Sequence, residues 1–432
     1  MTSSVLFSQQ KQYPEIQPYI WSGKNIPFGE DHQKLIHSSS LRRLQAKTQV
    51  WGTGHNDFFR TRLTHTLETA QIAEQLAFLF DLPPHALRSC ALAHDLGHPP
   101  FAHEGAHLIH QFCMKESDGQ MGFDDNVQNI RVLTQLCQHP NNKTVKGLNL
   151  SAAVIDGLQK SRNMQAFAGY PHEREVAQWA QNCCGTSNTA LHPFALSLEL
   201  ADDISYACHD FEDAIKAQMI PLHELTLSML PNSTTGTSSQ ARTIILQSIS
   251  DSLSPEPVRL KECQTHAHRI KDHLLRKIFH YIRTSLTPET LQKLQNPIPL
   301  CPSTGKIQHN QHPIYQNAPL VKDILSWLKA IVRSYVIDQT NVQRLRFAHI
   351  NSLHQYLTTY WNCLKDPSHP LHQHALLSFP PRWRDKLSQN NAPLQRLRNL
   401  TDYVVGMSDD YFIHRAAQIE NPQNVPAFEI WK

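Results

Sequence analysis

"LAHDLGHPPFAHEGAH", residues 92–107, marks the place where one helix stops and another starts. The segment leading into it, "PPHALRSCALAHDLGH" (83–98), reads as a helix opened by Pro83 and Pro84 and ended by Gly97 and then Pro99. A further helix begins near His103. The stretch holds His94, His98, His103 and His107, with Asp95 directly after the first of them. Protonated imidazoles repel one another, so such crowding calls for a task. A neutral imidazole is the commonest metal ligand, and histidine titrates near neutrality.

Outward from this point the pattern stays helical. "RLTHTLETAQIAEQLAFLF" (62–80) places Leu63, Leu67, Ile72, Leu76 and Leu79 at near-helical spacing. "DDNVQNIRVLTQLCQ" and "LNLSAAVIDGLQK" are amphipathic, and "HPFALSLELADDISYACHDFEDAIKAQ" is a long helix opened by Pro193. A polar low-complexity loop follows at 231–243 and a helical stretch at 244–285. A Pro-rich irregular stretch at 295–319 precedes helices over about 320–362 and 395–418. Strand-like alternation is scarce, so the expected class is all-α. Residues 1–35 are polar and irregular and read as an N-terminal extension.

The chain has 432 residues, 40% apolar and 18% charged, which is ordinary globular composition with ample length for a core. A net charge of +3 gives no electrostatic case for nucleic-acid binding. Histidine stands out, with 27 residues against 15 glycines. The nine cysteines form no C-x-x-C pair and are odd in number, which fits a reducing, cytoplasmic setting. The N-terminus lacks a signal-peptide pattern, and no apolar run is long enough to span a bilayer.

Three helices offer ligands: His65 from the first, the His94-Asp95 dyad from the second, and Asp202 with Asp203 from the long apolar one. An unpaired buried carboxylate is expensive, so an Asp-Asp pair inside an apolar helix points to a partner. Two imidazoles and carboxylates suit Mg²⁺ or Mn²⁺, and also Co²⁺, Fe²⁺ or Zn²⁺. Arg62 lies three residues before His65 on one helical face, and Arg43 and Lys47 add charge nearby. Asp202, Tyr206 and Asp210 form an i, i+4, i+8 stripe.

The order H…HD…D resembles the signature of the HD phosphohydrolase superfamily. Within it, six stretches resemble the deoxyguanosinetriphosphate triphosphohydrolases: "HSSSLRRLQAKTQVW" (37–51), "DFFRTRLTHTLETAQIA" (57–73), "CALAHDLGHPPFAH" (90–103), "GFDDNVQNIRVL" (122–133), "ELADDISYACHDFEDA" (199–214) and "LTDYVVGMSDDYFIHR" (400–415). The resemblance implies one elaborated HD-type helical domain over 36–432, with an HD core at about 60–220 and a C-terminal helical part at about 244–432. It implies a metal site of His65, His94, Asp95 and Asp202, leaving Asp203 aside. It implies hydrolysis of a deoxynucleoside triphosphate, dGTP first, at the α-phosphorus to give the deoxynucleoside and tripolyphosphate. His103 would be the catalytic acid or base, with His98 at the phosphates. Arg62 would contact phosphate, Gln49 would lie near sugar and base, Tyr206 would lie along the sugar, and Asp210 would accept the 3′-hydroxyl. Members are commonly hexamers regulated by dNTP effectors or single-stranded DNA.

One departure stands inside the opening stretch. The family carries a carboxylate three residues after the catalytic histidine, where this chain has Ala106. Glu104 is shifted by two residues, roughly 200° around the helix, and so faces away. Asp124, or Glu104 in an unwound helix start, are the candidate substitutes. Two other readings stay open: an HD phosphohydrolase acting on another nucleotide, and a weakly active nucleotide- or single-strand-binding regulator.

Overall fold

The computed structural model describes residues 3–13, 26–49, 59–139, 145–160, 162, 164–222, 238–252, 260–300, 311–388 and 392–420. These residues form an essentially all-helical molecule. The only paired strands among them are the two-residue segments Ala190–Leu191 and Ile298–Pro299, which run antiparallel.

Local chemistry sets the helices that matter for the site. The Arg62–Phe80 helix starts where the Thr61 side chain accepts a hydrogen bond from Thr64 N, and it stops at Asp81 in a left-handed conformation. Pro84 opens the next helix, Pro84–Ala93, which ends immediately before His94. The Ala102–Glu116 helix then begins through two consecutive non-glycine residues at positive φ, Phe101 (64°) and Ala102 (53°). Such residues cost on the order of 1–2 kcal/mol each and persist only where packing imposes them. Here the Phe101 ring stacks on His349 with centroids 4.4 Å apart and meets Phe412 edge-on. Asp124 caps the Asp125–Arg131 helix by accepting from the backbone N–H groups of Asn126 and Val127. Pro193 opens the Pro193–Lys216 helix, whose central residues are almost all buried.

Two apolar clusters hold these helices. The larger gathers the Arg62–Phe80, Pro84–Ala93 and Pro193–Lys216 helices with later helices at Leu260–Ser285 and Pro319–Val332. The smaller joins one face of Ala102–Glu116 to the C-terminal helices Thr340–Lys365, Pro393–Val405 and Asp409–Glu420. The N-terminal segment is no mere polar extension. Its described residues include a Gly29–Ile36 helix, and both Leu6 and Leu35 are buried. Asp31 of that helix is buried too and accepts a hydrogen bond from Ser151 N. No described helix is long and apolar enough to cross a membrane. Of the loop read at 231–243, residues 231–237 lie outside the described residues and 238–243 are instead the start of a Ser238–Ser250 helix; 301–310 of the Pro-rich stretch also lie outside the described residues.

Candidate active site

A cavity of about 860 Å³ opens where residues of the two clusters meet, and its floor is the H…HD…D set. His94 sits in the turn after its helix with Nδ1 2.6 Å from the Ala91 carbonyl. A carbonyl only accepts, so Nδ1 carries the proton and Nε2 presents its lone pair to the cavity. That Nε2 lies 3.3 Å from an Asp95 oxygen and 3.4 Å from Asp202 Oδ1. His65 Nε2 lies 3.3 Å from the same Asp202 oxygen and 4.0 Å from Asp95 Oδ2. The four sequence-derived ligands therefore converge from three helices.

The surrounding groups keep the two carboxylates ionised. Burial opposes ionisation of Asp95, but His94, Arg62, His98 and His65 together outweigh it and hold the carboxyl well below its usual range. For Asp202, burial is likewise outweighed by Lys160 and His94, and its carboxyl is also held low. Arg62 Nη1 donates to Asp95 Oδ2 at 2.8 Å, and Lys160 Nζ donates to Asp202 Oδ2 at 2.6 Å. His65, His94 and Asp202 offer ligand atoms that all lie within 4.8 Å of one another, Asp95 adds an oxygen 3.3 Å from His94 Nε2, and the group opens on one side to a cavity; two imidazoles with two carboxylates fit a divalent ion of the Mg²⁺-to-Zn²⁺ group. His65, His94, Asp95 and Asp202 would hold it.

Beside the set, His98 is buried, with Nδ1 3.3 Å from Asp95 and Nε2 3.1 Å from Asp125 Oδ2. Burial, then Arg62, push its imidazole well below the ordinary value, to about 3. His103 lies on the other side of the same carboxylate, with Nδ1 3.7 Å from Asp125 Oδ2, and its side chain is 80% exposed toward the cavity mouth. Asp124, the expected partner, caps its helix, and it is the neighbouring Asp125 that faces the histidines. Glu104 lines the cavity rim, and no ion pair joins it to His103 among the described residues. His107 points outward and accepts from Gln111, and His110 packs against the Phe123 carbonyl.

The expected substrate contacts divide. Gln49, Arg62 and Tyr206 line the cavity. Arg43, Lys47 and Asp210 do not. Lys47 is buried and donates to the carbonyls of His98 and Val405, while Arg43 donates to the Gly406 carbonyl at 2.7 Å and to Ser40 Oγ. Both cations therefore tie the HD turn and its neighbourhood to the end of the Pro393–Val405 helix. Asp210 is buried one turn beyond Tyr206, where burial and then Asp213 push its carboxyl well above the usual value. Its i+8 spacing is correct for one stripe, but the helix carries it past the cavity floor.

Sequence reasoning missed the opposite wall. Asn341, Val342, Leu345, Arg346, His349 and Ile350 of the Thr340–Lys365 helix line it. Lys329 approaches Tyr206, with Nζ 5.7 Å from the ring centroid, and donates to Asp203 at 2.7 Å. Lys329 sits in the largely apolar run "LVKDILSWLKAIV", and a cation inside its apolar second half, "ILSWLKAIV", was a usable signal. Lys160, directly after "SAAVIDGLQ", was another. Arg346 and His349 had none, because tertiary packing alone brings that helix over the site.

Residues 62–207 match the HD domain and residues 319–418 match a phosphohydrolase-associated domain. The chain is similar to proteins named deoxyguanosinetriphosphate triphosphohydrolase-like. The relative from Caulobacter sp. (strain K31) is 38% identical over 220 residues, covering 50% of this chain and 53% of the relative. The alignment with the Bifidobacterium longum relative likewise spans only 45% of that protein. The relative from Paracoccus denitrificans is 29% identical over 419 residues, 95% of this chain and 97% of its own. The one from Rickettsia prowazekii is 27% identical, with 97% of each chain covered.

Proposed function

This chain belongs to the deoxyguanosinetriphosphate triphosphohydrolase-like family of HD-domain phosphohydrolases, and from that membership and the cavity's geometry we propose that it hydrolyses deoxynucleoside triphosphates, dGTP foremost, at the α-phosphorus. The observation that carries the reading is the convergence of His65, His94, Asp95 and Asp202 under a cavity walled by Arg62, Lys160, Lys329 and Arg346. His65, His94, Asp95 and Asp202 would hold a divalent ion, Mg²⁺ or Mn²⁺ first, which would supply Lewis acidity and lower the pKa of water there.

The chain's own residues do the rest. The cations offset the charge of a triphosphate, and Arg62 is held in place by Asp95. Tyr206 packs its ring along the sugar and leaves no room for a 2′-hydroxyl. His103, exposed at the cavity, passes a proton to the leaving O5′ as the Pα–O5′ bond breaks and the bond to the water oxygen forms. The products are the deoxynucleoside and intact tripolyphosphate. Asp210, Arg43 and Lys47 have no substrate role in this scheme. Self-assembly and control by dNTPs or single-stranded DNA belong to the proposal only as what the sequence resemblance implies.

The test is hydrolysis of the four dNTPs and GTP by the purified chain with Mg²⁺, Mn²⁺ and Co²⁺, with products identified by phosphorus NMR. Tripolyphosphate is expected, and release of orthophosphate or pyrophosphate refutes attack at the α-phosphorus. Tyr206→Ala is expected to gain activity on GTP relative to dGTP, and an unchanged ratio removes Tyr206 from sugar selection.

A further inference from the structure

Position 106, three residues after His103 on the same helical face, is Ala106, so the Ala102–Glu116 helix brings no carboxylate of its own to that histidine. A carboxylate is nevertheless present. Asp125 Oδ2 lies between the two imidazoles, 3.1 Å from His98 Nε2 and 3.7 Å from His103 Nδ1. It reaches them from a different helix, and it lines the cavity.

The approach is built into the backbone. A Cβ on Gly97 would lie 2.4 Å from the Asp125 carbonyl oxygen and 2.6 Å from Asn129 N, so only glycine lets the first turn of Asp125–Arg131 sit against the HD turn. Asn129 fastens the contact, accepting from Gly97 N at 2.6 Å and donating to the His94 carbonyl at 2.5 Å. Asp124 caps the helix end and fixes its direction, which turns Asp125 inward. At the first helical position a carboxylate is also favoured by the helix dipole.

We propose that Asp125 is the positioning residue for His103, supplying from the Asp125–Arg131 helix the carboxylate that Ala106 cannot. It faces His103 Nδ1 and so orients the ring, leaving Nε2 for proton transfer at the scissile bond, with the buried His98 imidazole against the same carboxylate oxygen from the other side. The assignment rests on the phosphohydrolase reading given above for the identity of the reaction, and on the geometry alone for the identity of the carboxylate.

The test compares wild type with Asp125→Asn, Asp125→Glu and the double variant Asp125→Asn/Ala106→Glu, all checked for native circular dichroism and metal content. Asp125→Asn is expected to lower kcat about 10²-fold with KM within about twofold, because orientation of an acid–base group acts on the chemical step. Asp125→Glu keeps part of the rate, and Ala106→Glu restores at least about tenfold by returning a carboxylate to the same imidazole from the other helix. In ¹⁵N-histidine-labelled protein, the His103 ring resonances, assigned by their loss in His103→Gln, are expected to move in Asp125→Asn and to return in the double variant. A wild type inactive on every dNTP defeats the reaction reading, and the ring resonances still decide the role of Asp125. Unchanged ring resonances, an unchanged kcat, or loss of bound metal in Asp125→Asn would each overturn the assignment, the last by making Asp125 a ligand.

Discussion

Asp95 faces His65, His94 and His98 and accepts from Arg62, so a single carboxylate links the metal ligands to the phosphate-side cations. Asp95→Ala is expected to abolish bound metal and hydrolysis together while far-UV circular dichroism stays native; full activity in that variant would remove the metal assignment. The four residues that meet under the cavity were readable in the sequence because each belongs to a short motif with fixed residue types. Asp125 was not, since "FDDN" offers two adjacent carboxylates and only the capping geometry decides which one turns inward. Arg43 and Lys47 misled for a related reason: cations beside a catalytic motif satisfy backbone carbonyls as readily as they meet phosphate, and a carbonyl left unpaired in the core costs about 1–3 kcal/mol.

Among the elements, Arg62–Phe80 and Pro193–Lys216 match the expected spans closely, because caps and prolines mark their ends. The face each buries was harder to read. Leu67 and Phe78 are 43% and 70% exposed, while Thr66, Thr69, Ala70 and Ala73 are buried, since small residues let this helix pack tightly on its neighbours. Close packing also governs the Gly97 contact. Gly97→Ala sets a methyl against backbone atoms that cannot yield cheaply, so about 1–3 kcal/mol of stability is expected to be lost in urea denaturation, with a larger drop in hydrolysis as Asp125 is displaced. A loss of stability without loss of rate would separate the helix contact from the chemistry. A second element contact is pH-sensitive. His32 of Gly29–Ile36 meets His85 edge-on, and burial, then Arg88 and His85, push its imidazole down to about 4. The folded chain therefore binds this proton more weakly than the unfolded chain. Stability is whole above pH 6.5 and declines as pH falls from there toward 4, by no more than about 1 kcal/mol given partial solvent screening. His32→Gln is expected to flatten that part of the stability–pH curve.

At the scale of the whole molecule, the site depends on how the C-terminal helices are fastened over the HD core, and this was the least legible level. The segments 37–51 and 400–415 read as motifs, yet their work is to bind each other. Thr48 N and Phe101 N both donate to Asp409, and Lys47 bridges His98 to Val405. The principal fastener is Asp402, fully buried, which accepts from Gln128 Nε2 at 3.0 Å and from Arg131 Nη2 at 2.7 Å. Arg131 in turn holds Glu173 at 2.9 Å, so three parts of the chain meet at one ion network beside the helix that carries Asp125. Breaking a buried pair from one side leaves an uncompensated charge, at a cost of about 3–5 kcal/mol. Asp402→Ala should therefore lower the thermal transition and loosen the Thr340–Lys365 wall, so that KM for the nucleotide rises. Hydrogen exchange checks this directly: faster exchange is expected in 125–131 and 393–405, with the Pro193–Lys216 helix unchanged. Uniform acceleration throughout would mean that Asp402 supports the fold as a whole rather than this joint.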